Sequence, residues 1–432
     1  MNEMKLHESA LLGERYYSTH HKSGLPILVF PKKMSTTYAM IAVRFGSVDN
    51  AADETGERLF SDGVAHFLEH KLFSNEDGSD SFERFAALGA DANAYTSHSR
   101  TVYLFSCTER FEESLAELLT FTTHPYFTDE TVEKEQGIIA EEIRMCRDDP
   151  YDRCYRNMIM GLYEKHPVRI DICGSERAIM GITAKELYEV YHTYYTLPNM
   201  ALVVCGDVDP ARVLAVADAC LPQMPDDRMP PQHTVRESSR VAVPHTVARG
   251  QVGKPIFAIG IKDVHIPREA DACTRRCAVM EILSEMIFGD TGELYNRLFD
   301  AGLISPEFSF GYTLTRDFGF LRISGEANEP TRVLEEIYAY LAELAQRGLD
   351  PEEFEHCRRI EFAEYIKGFD STEEIADNLV AYHFEGAELF SYADVIRDVT
   401  FEEAVALFDE FFDPECFTLS EVRPQQEGGS HD

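Results

Sequence analysis

Two histidines and a glutamate occur at a spacing that could bind a metal ion. In the segment His66–His70 (HFLEH), His66, Glu69 and His70 stand at positions i, i+3 and i+4, so on a helix their side chains share one face. Neutral imidazoles suit zinc, and a carboxylate beside them can take a proton from a water that the metal activates. The order of these residues is that of the inverted zinc motif. Two helical histidines in ordinary hydrogen bonds are the alternative, and the added glutamate favours the metal site.

The residues around this segment predict the helix that would present it. Asp62 and Gly63 can begin a helix. The apolar residues that could pack the back of this helix are Phe67, Leu68, Leu72 and Phe73. We therefore expect a helix with a buried apolar back and a metal-binding front.

A hydrolytic zinc site usually needs a third protein ligand and an open position for water. The acidic segment 129–147 predicts a helix that could supply this ligand. Glu135 and Glu142 are seven residues apart on it and so lie nearly on one line, whereas Glu141 points about 100° away from Glu142. A solvated acidic face is the alternative interpretation, and the histidine motif is what favours a ligand here.

Length and charge limit the classes of function. A chain of 432 residues is expected to form two or more domains. Its 76 acidic and 40 basic residues give a net charge of -36, which disfavours nucleic acid and anionic membranes as partners. The acidic excess would favour basic or neutral substrates if it lined a cavity, and a solvated surface is the simpler interpretation.

The sequence also carries signals about compartment. It has no apolar run long enough to span a membrane, and its first nine residues are polar and charged, so we expect no secretory signal. Ten cysteines are scattered singly, and the closest pair, Cys273 and Cys277, has no second pair at a zinc-like spacing. These features predict a cytoplasmic protein with reduced thiols and no membrane partner.

An internal repeat predicts how the chain is organised. Residues 183–204 align with residues 400–421 at a constant offset of 217, and both stretches predict a helix followed by a strand. A weaker match places residues 82–89 on residues 295–302. Both matches indicate an ancient duplication.

The duplication predicts two domains, 1–235 with the metal site and 236–432 without one. Their seam lies in residues 222–253, whose prolines, glycines and polar residues are typical of a linker. Short alternating strands beside grouped helices predict an α+β fold of two homologous α/β sandwiches, each a mainly antiparallel sheet covered by helices. In the second domain the motif would fall at residues 281–285 (EILSE), which contain no histidine. We therefore expect this domain to be structural or to enclose substrate.

The sequence resembles the insulinase and pitrilysin family of zinc peptidases, especially its short two-domain processing-peptidase branch. The resemblance covers nearly the whole chain. The segments that carry it follow the family's order and are residues 63–73, 93–96, 135–143, 166–167, 174, 195, 198–200 and 206–208.

This resemblance implies roles for the residues of the candidate site. The implied zinc ligands are His66, His70 and Glu142. Glu69 would be the general base and Glu135 an acidic helper behind the metal. Glu142 is preferred to its neighbour because the family places its ligand seven residues after the helper. The implied reaction is attack by a zinc-activated water on a peptide carbonyl that the metal polarises.

The resemblance also implies how a peptide substrate binds. In the family, the peptide adds a strand to a sheet edge beside the zinc, and the matching residues here are Ala92, Asn93 and Ala94. Main-chain pairing of this kind recognises extended conformation, so the expected substrates are short peptides or unfolded segments. A turn residue before a strand is the alternative interpretation of Asn93.

Many relatives carry an Arg and a Tyr seven residues apart in a C-terminal domain, where they reach the substrate carbonyl. The aligned positions here hold Leu298 and Ser305, and a shift by one residue gives Arg297 and Ile304. We therefore hypothesise that the chain is the zinc-bearing subunit of a heterodimer whose homologous partner supplies the pair, with a homodimer as the other possibility. Tyr312 could supply the tyrosine from within the chain.

Two further expectations follow from the family. The two domains are expected to form half of a clamshell chamber around the substrate. The alternative functions are a scaffold subunit without catalysis and a protein of the elongation factor P modification pathway, for which similar bacterial proteins are named.

Overall fold

The chain forms two β-sheets flanked by helices. Its computed structural model describes residues 4–50, 58–224, 228–231 and 235–425. The mixed architecture confirms the predicted α+β fold class. Parts of the predicted linker, residues 225–227 and 232–234, lie outside the described residues. All ten cysteines are free, and no helix in the described ranges is long and apolar enough to cross a membrane.

The elements alternate along the chain in a pattern that repeats after its midpoint. The strands are β1 (Lys5–Ser9), β2 (Glu14–His20), β3 (Pro26–Pro31), β4 (Thr37–Val43), β5 (Asp91–Thr96), β6 (Thr101–Cys107), β7 (Met200–Gly206), β8 (His245–Gly250), β9 (Ile256–Lys262), β10 (Ser309–Leu314), β11 (Gly319–Glu326) and β12 (Phe417–Pro424). The α-helices are α1 (Val64–Leu72), α2 (Ser81–Leu88), α3 (Phe111–Thr123), α4 (Asp129–Asp148), α5 (Pro150–Leu162), α6 (Glu176–Ile179), α7 (Ala184–Tyr194), α8 (Pro210–Cys220), α9 (Ala270–Phe288), α10 (Glu293–Asp300), α11 (Pro330–Arg347), α12 (Pro351–Lys367), α13 (Thr372–Glu385), α14 (Ser391–Asp398) and α15 (Phe401–Phe411).

The chain divides into two compact units, each assembled from segments that are distant in sequence. The first consists of Met1–Ile143, Ile170–Thr234 and Ile366–Phe390, and the second consists of Arg144–Arg169, Val235–Tyr365 and Ser391–Asp432. Each half of the chain therefore contributes one helix-bearing segment to the unit formed mainly by the other half. The domain limits 1–235 and 236–432, and the clamshell chamber, stay predictions.

The first unit contains a seven-stranded sheet with the order β1-β2-β3-β7-β4-β6-β5. Strands β3 and β7 run parallel, and the other neighbours are antiparallel. The central strands β3, β4 and β7 are continuous apolar runs buried along nearly their whole length. Such runs are expected where helices cover both faces of a sheet.

The second unit contains a five-stranded sheet with the order β10-β11-β9-β12-β8. Five strands of the first sheet follow the corresponding order β5-β6-β4-β7-β3, and each sheet has one parallel pair at the corresponding place, β3 with β7 and β8 with β12. The shared order supports the predicted duplication.

The repeat at offset 217 corresponds to the helix that precedes a central strand in each sheet. Thr183 caps α7 by accepting a hydrogen bond from the Glu186 amide, and Thr400 caps α15 by accepting one from the Glu403 amide. A short 3-10 turn and then β7 or β12 follow the respective helix. The predicted helix and strand are thus confirmed at both positions.

The second unit carries glutamates where the first carries the metal motif. Glu281 and Glu285 lie on α9, and Glu361 lies on α12. Burial, together with the charges of Glu361 and Glu285, raises the pKa of Glu281 to about 8. The folded protein therefore keeps a proton on Glu281 over a pH range in which the unfolded chain has lost it.

Glu281→Gln is expected to stabilise the protein at alkaline pH. Between about pH 4.5 and 8 the folded state binds more protons than the unfolded state, so the free energy of unfolding falls as pH rises, by up to about 1.4 kcal/mol per pH unit. Glutamine removes this titration. Denaturant unfolding at pH 5 and pH 8.5 should show a stabilisation that grows with pH, and the exposed Glu352→Gln on α12 is the matched control. A stabilisation independent of pH would contradict the expectation.

Candidate metal centre

The motif His66–His70 lies on helix α1, as its spacing predicts. The helix follows Gly63, whose φ of +84° favours glycine, and a Cβ there would lie 2.4 Å from the carbonyl oxygen of Cys173. The apolar face of α1 is formed by its own residues Phe67, Leu68 and Leu72 and by the C-cap residue Phe73, and all four are buried. The close contact at Gly63 and the buried apolar face thus fix the position of α1. Its polar face, with His66, Glu69 and His70, can then take part in chemistry.

Helix α4 directs Glu135 and Glu142 towards the two histidines. His66 Nε2 lies 3.6 Å from Glu142 Oε1, and His70 Nε2 lies 3.4 Å from Glu142 Oε2. One potential ligand atom from each of the three residues lies within 4.8 Å of the others. No other group of three or more His, Cys, Asp or Glu side chains in the described ranges meets this criterion. The structure therefore brings together the three residues expected to bind zinc.

Glu135 holds the far side of the His70 ring. His70 Nδ1 lies 3.2 Å from Glu135 Oε1, which accepts its hydrogen bond. Burial opposes ionisation of Glu135, but the hydrogen bond and charge of His70 lower the pKa of this carboxyl. A carboxylate that accepts a hydrogen bond from one ring N–H fixes the tautomer and leaves the other nitrogen as a ligand. This position agrees with the expected helper behind the metal.

The donor set fits a cation such as zinc. With Nδ1–H of His70 directed at Glu135, a neutral His70 directs the lone pair of Nε2 towards the carboxylate of Glu142. A cation between these atoms, either a metal ion or a proton on His70 Nε2, relieves the repulsion of their lone pairs. Burial opposes protonation of His70, but hydrogen bonds to Glu135 and Glu142 raise its pKa to about 10. Two nitrogens and one carboxylate suit zinc better than calcium or magnesium, which prefer oxygen ligands.

Glu69 lies beside the three candidate ligands and is not one of their group. Its side chain is buried, and its Oε2 accepts a hydrogen bond of 2.7 Å from Thr96 Oγ1. Burial raises the pKa of Glu69, while the electrostatic interaction with His66 and the hydrogen bond from Thr96 act against the shift. A carboxyl whose pKa is raised from its ordinary value is better matched to accepting a proton near neutral pH.

The predicted substrate residues lie in an edge strand. Ala92, Asn93 and Ala94 belong to β5, which ends the seven-stranded sheet and pairs on one side with β6. Ala92 and Ala94 pack against the core, whereas Asn93 is exposed. The interpretation of Asn93 as a turn residue is wrong, because it pairs with Leu104 in the middle of the strand. Strand β5 was not predicted, and the signal for it in the sequence is the alternation of polar and apolar residues from Asp91 to Ala94.

The residues considered for the Arg and Tyr pair have structural roles in the second unit. Leu298 and Ile304 are buried, and the guanidinium of Arg297 forms salt bridges with glutamates of α10 and α11. The hydroxyl of Tyr312 donates a 2.5 Å hydrogen bond to Asp263, a buried carboxylate. These contacts do not support the expectation that Tyr312 could supply the tyrosine of this pair.

Comparison with known proteins places this fold and site. The two sheets share a strand order, and the unit with the seven-stranded sheet also has a helix that carries the inverted zinc motif and an acidic helix that carries Glu142. Residues 32–176 match the family profile described as insulinase, peptidase family M16, and residues 181–361 match the profile described as the peptidase M16 inactive domain. The chain belongs to the insulinase family, peptidase family M16.

Individual relatives agree with this family. The Bacillus subtilis protein named "Uncharacterized zinc protease YmfH" is 35% identical over 420 residues, which cover 96% of this chain and 98% of the relative. A crystal structure from Alicyclobacillus acidocaldarius, described as that of a "putative M16-like peptidase", is 33% identical, with a TM-score of 0.88 over 95% of this chain and 98% of that one. A protease structure from Helicobacter pylori is 19% identical, with a TM-score of 0.82 over 95% of this chain and 100% of that one, and shows the fold alone.

Proposed function

We propose that this chain is a zinc-dependent peptidase that hydrolyses short peptides or unfolded segments. The observation that carries the proposal is the convergence of ligand atoms of His66, His70 and Glu142 within 4.8 Å beside the buried carboxylate of Glu69. The names of relatives as zinc proteases support it. In this proposal the three residues hold zinc and Glu69 is the general base.

The proposed mechanism assigns the proton transfers to Glu69. When bound, zinc polarises a carbonyl oxygen and makes water more acidic. Glu69 accepts a proton from the attacking water and later gives it to the amine that leaves when the peptide bond breaks. Glu135 keeps the His70 ring in the tautomer and orientation that a ligand requires.

The edge strand β5 offers a binding mode for the substrate. Its side away from β6 can pair with an extended peptide, and Ala92, Asn93 and Ala94 lie in its middle. Thr96 at the end of the same strand contacts Glu69, so a peptide paired along β5 would pass close to the proposed base. Backbone pairing of this kind selects extended chains over folded proteins.

We further propose that the active enzyme is a heterodimer. Leu298 and Ser305 stand where many relatives have the Arg and Tyr that contact the substrate carbonyl, and Tyr312 is engaged with Asp263. A homologous partner subunit would supply the missing donors. Loss of one such donor typically reduces kcat by about 10²–10³-fold.

Assays of the purified chain test the proposal. We expect about one zinc per chain after purification without added metal, slow hydrolysis of unfolded peptides and loss of this hydrolysis with 1,10-phenanthroline. Adding a homologous subunit co-purified from the native host should raise kcat by about 10²-fold or more. Robust hydrolysis by the chain alone would contradict the heterodimer. Absence of stoichiometric metal would favour the alternative functions, a scaffold subunit without catalysis or a protein of the elongation factor P modification pathway.

A further inference from the structure

Thr96 is joined to the proposed general base by a short hydrogen bond. It is the last residue of β5, and its Oγ1 donates to Glu69 Oε2 at 2.7 Å. A bond from a neutral hydroxyl to a carboxylate is charge-assisted and stronger than a bond between neutral groups. It fixes one oxygen and therefore the plane of the carboxylate, so the direction of the other oxygen is fixed as well.

The strand that carries Thr96 is held by a tight hairpin turn. Thr96 pairs with Thr101 of β6, and the amide of Ser97 donates to the carbonyl oxygen of Arg100 at 2.8 Å. Within the turn, Ser97 Oγ accepts hydrogen bonds from the amides of Ser99 and Arg100. The backbone at Thr96 is thus fixed by bonds on both sides of the turn.

A second segment clamps this turn from outside the hairpin. The amides of Ser47 and Val48 donate to the carbonyl oxygens of Ser97 and His98, at 3.2 and 3.0 Å. Ser47 Oγ and His98 Nδ1 lie 2.9 Å apart and share a further hydrogen bond. At Gly46 a Cβ would lie 2.4 Å from the carbonyl oxygen of His98 and 2.5 Å from that of Ser97, so only glycine allows this close approach.

We propose that Thr96 is a positioning residue that orients the carboxylate of Glu69 for proton transfer. The clamped turn holds the Thr96 hydroxyl, and the hydroxyl holds Glu69 Oε2. This inference rests on the proposed function, in which Glu69 is the general base. A hydroxyl that served packing alone could be replaced by a methyl group without affecting the reaction.

The variants Thr96→Val and Thr96→Ser separate positioning from packing. Valine keeps the shape of the side chain and removes the donor, whereas serine keeps the donor. Because Thr96→Val removes a hydrogen bond to a charged group, we expect it to lower kcat roughly 10–100-fold and to change KM by no more than about twofold. Thr96→Ser should retain most of kcat, and both variants should keep one zinc per chain. Thr120→Val, at an exposed site on α3, controls for the substitution itself.

Crystal structures of the metal-free variants give a readout that does not need activity. We expect one Glu69 conformer in the wild type and Thr96→Ser, and a displaced or divided Glu69 in Thr96→Val. If Thr96→Val does not fold, Thr96→Ala provides the same comparison. Unchanged kcat together with an unchanged Glu69 would overturn the inference. A wild type that cleaves no peptide would refute the proposed function, and the Glu69 conformers would still decide whether Thr96 orients it.

Discussion

Glu69→Gln is expected to reduce peptide hydrolysis by about 10²–10⁴-fold while one zinc per chain stays bound. Glutamine has nearly the shape of glutamate and can still accept the hydrogen bond of Thr96, but it cannot take a proton from water. Because Glu69 is outside the group of candidate ligands formed by the two histidines and Glu142, its replacement should leave bound zinc in place. Single-turnover cleavage and elemental analysis on the same preparation measure both quantities.

A matched control distinguishes this effect from the loss of one negative charge near the site. Glu141→Gln removes a charge from the exposed side of α4, next to a proposed ligand. We expect it to leave kcat and zinc content within about twofold of the wild type, as is usual for surface substitutions. Cleavage at the wild-type rate by Glu69→Gln would show that Glu69 is not the general base. Loss of zinc from this variant would instead indicate that Glu69 is a zinc ligand.

Local sequence pattern was sufficient to predict the helices of the site. The i, i+3, i+4 spacing in α1 and the seven-residue spacing of Glu135 and Glu142 in α4 each depend on residues of one helix, whose geometry is regular. The offset of 217 likewise indicated α7 and α15, because both keep the threonine cap and the apolar face. Such features are visible in one sequence because they are encoded within a few turns.

Features that depend on distant segments were not predictable in the same way. The exchange of segments 144–169 and 366–390 between the two units is set by tertiary packing, which no local pattern reports. The hydrogen bond between Thr96 and Glu69 joins residues 27 positions apart, and it depends on the hairpin of β5 and β6, which was not predicted. A predicted strand at 91–96 could have placed Thr96 near the motif, but its short, small residues give a weak strand signal.

Glu142→Gln is expected to weaken zinc binding by more than 100-fold. Residues that only hydrogen-bond to zinc ligands contribute up to about 100-fold, and a ligand should contribute more. The carboxylate lies 3.6 Å from His66 Nε2 and 3.4 Å from His70 Nε2, and it is the anionic member of the ligand group. A neutral amide is a poorer ligand for a divalent cation and leaves two imidazoles to hold it. Zinc titration against a competing chelator measures the change.

Two further variants on α4, measured by the same zinc titration, show how much each glutamate contributes to zinc affinity. Glu135→Gln removes the acceptor from His70 Nδ1 and should weaken zinc binding about 10–100-fold, whereas Glu141→Gln should leave it unchanged. The same order should appear in stability, because zinc at about 1,000 times its Kd adds roughly 4 kcal/mol to the free energy of unfolding. At the same zinc concentration, that increment should fall to about 1.4 kcal/mol or less in Glu142→Gln. Zinc binding lost in Glu141→Gln and kept in Glu142→Gln would refute the assignment and place the third ligand one residue earlier on the helix.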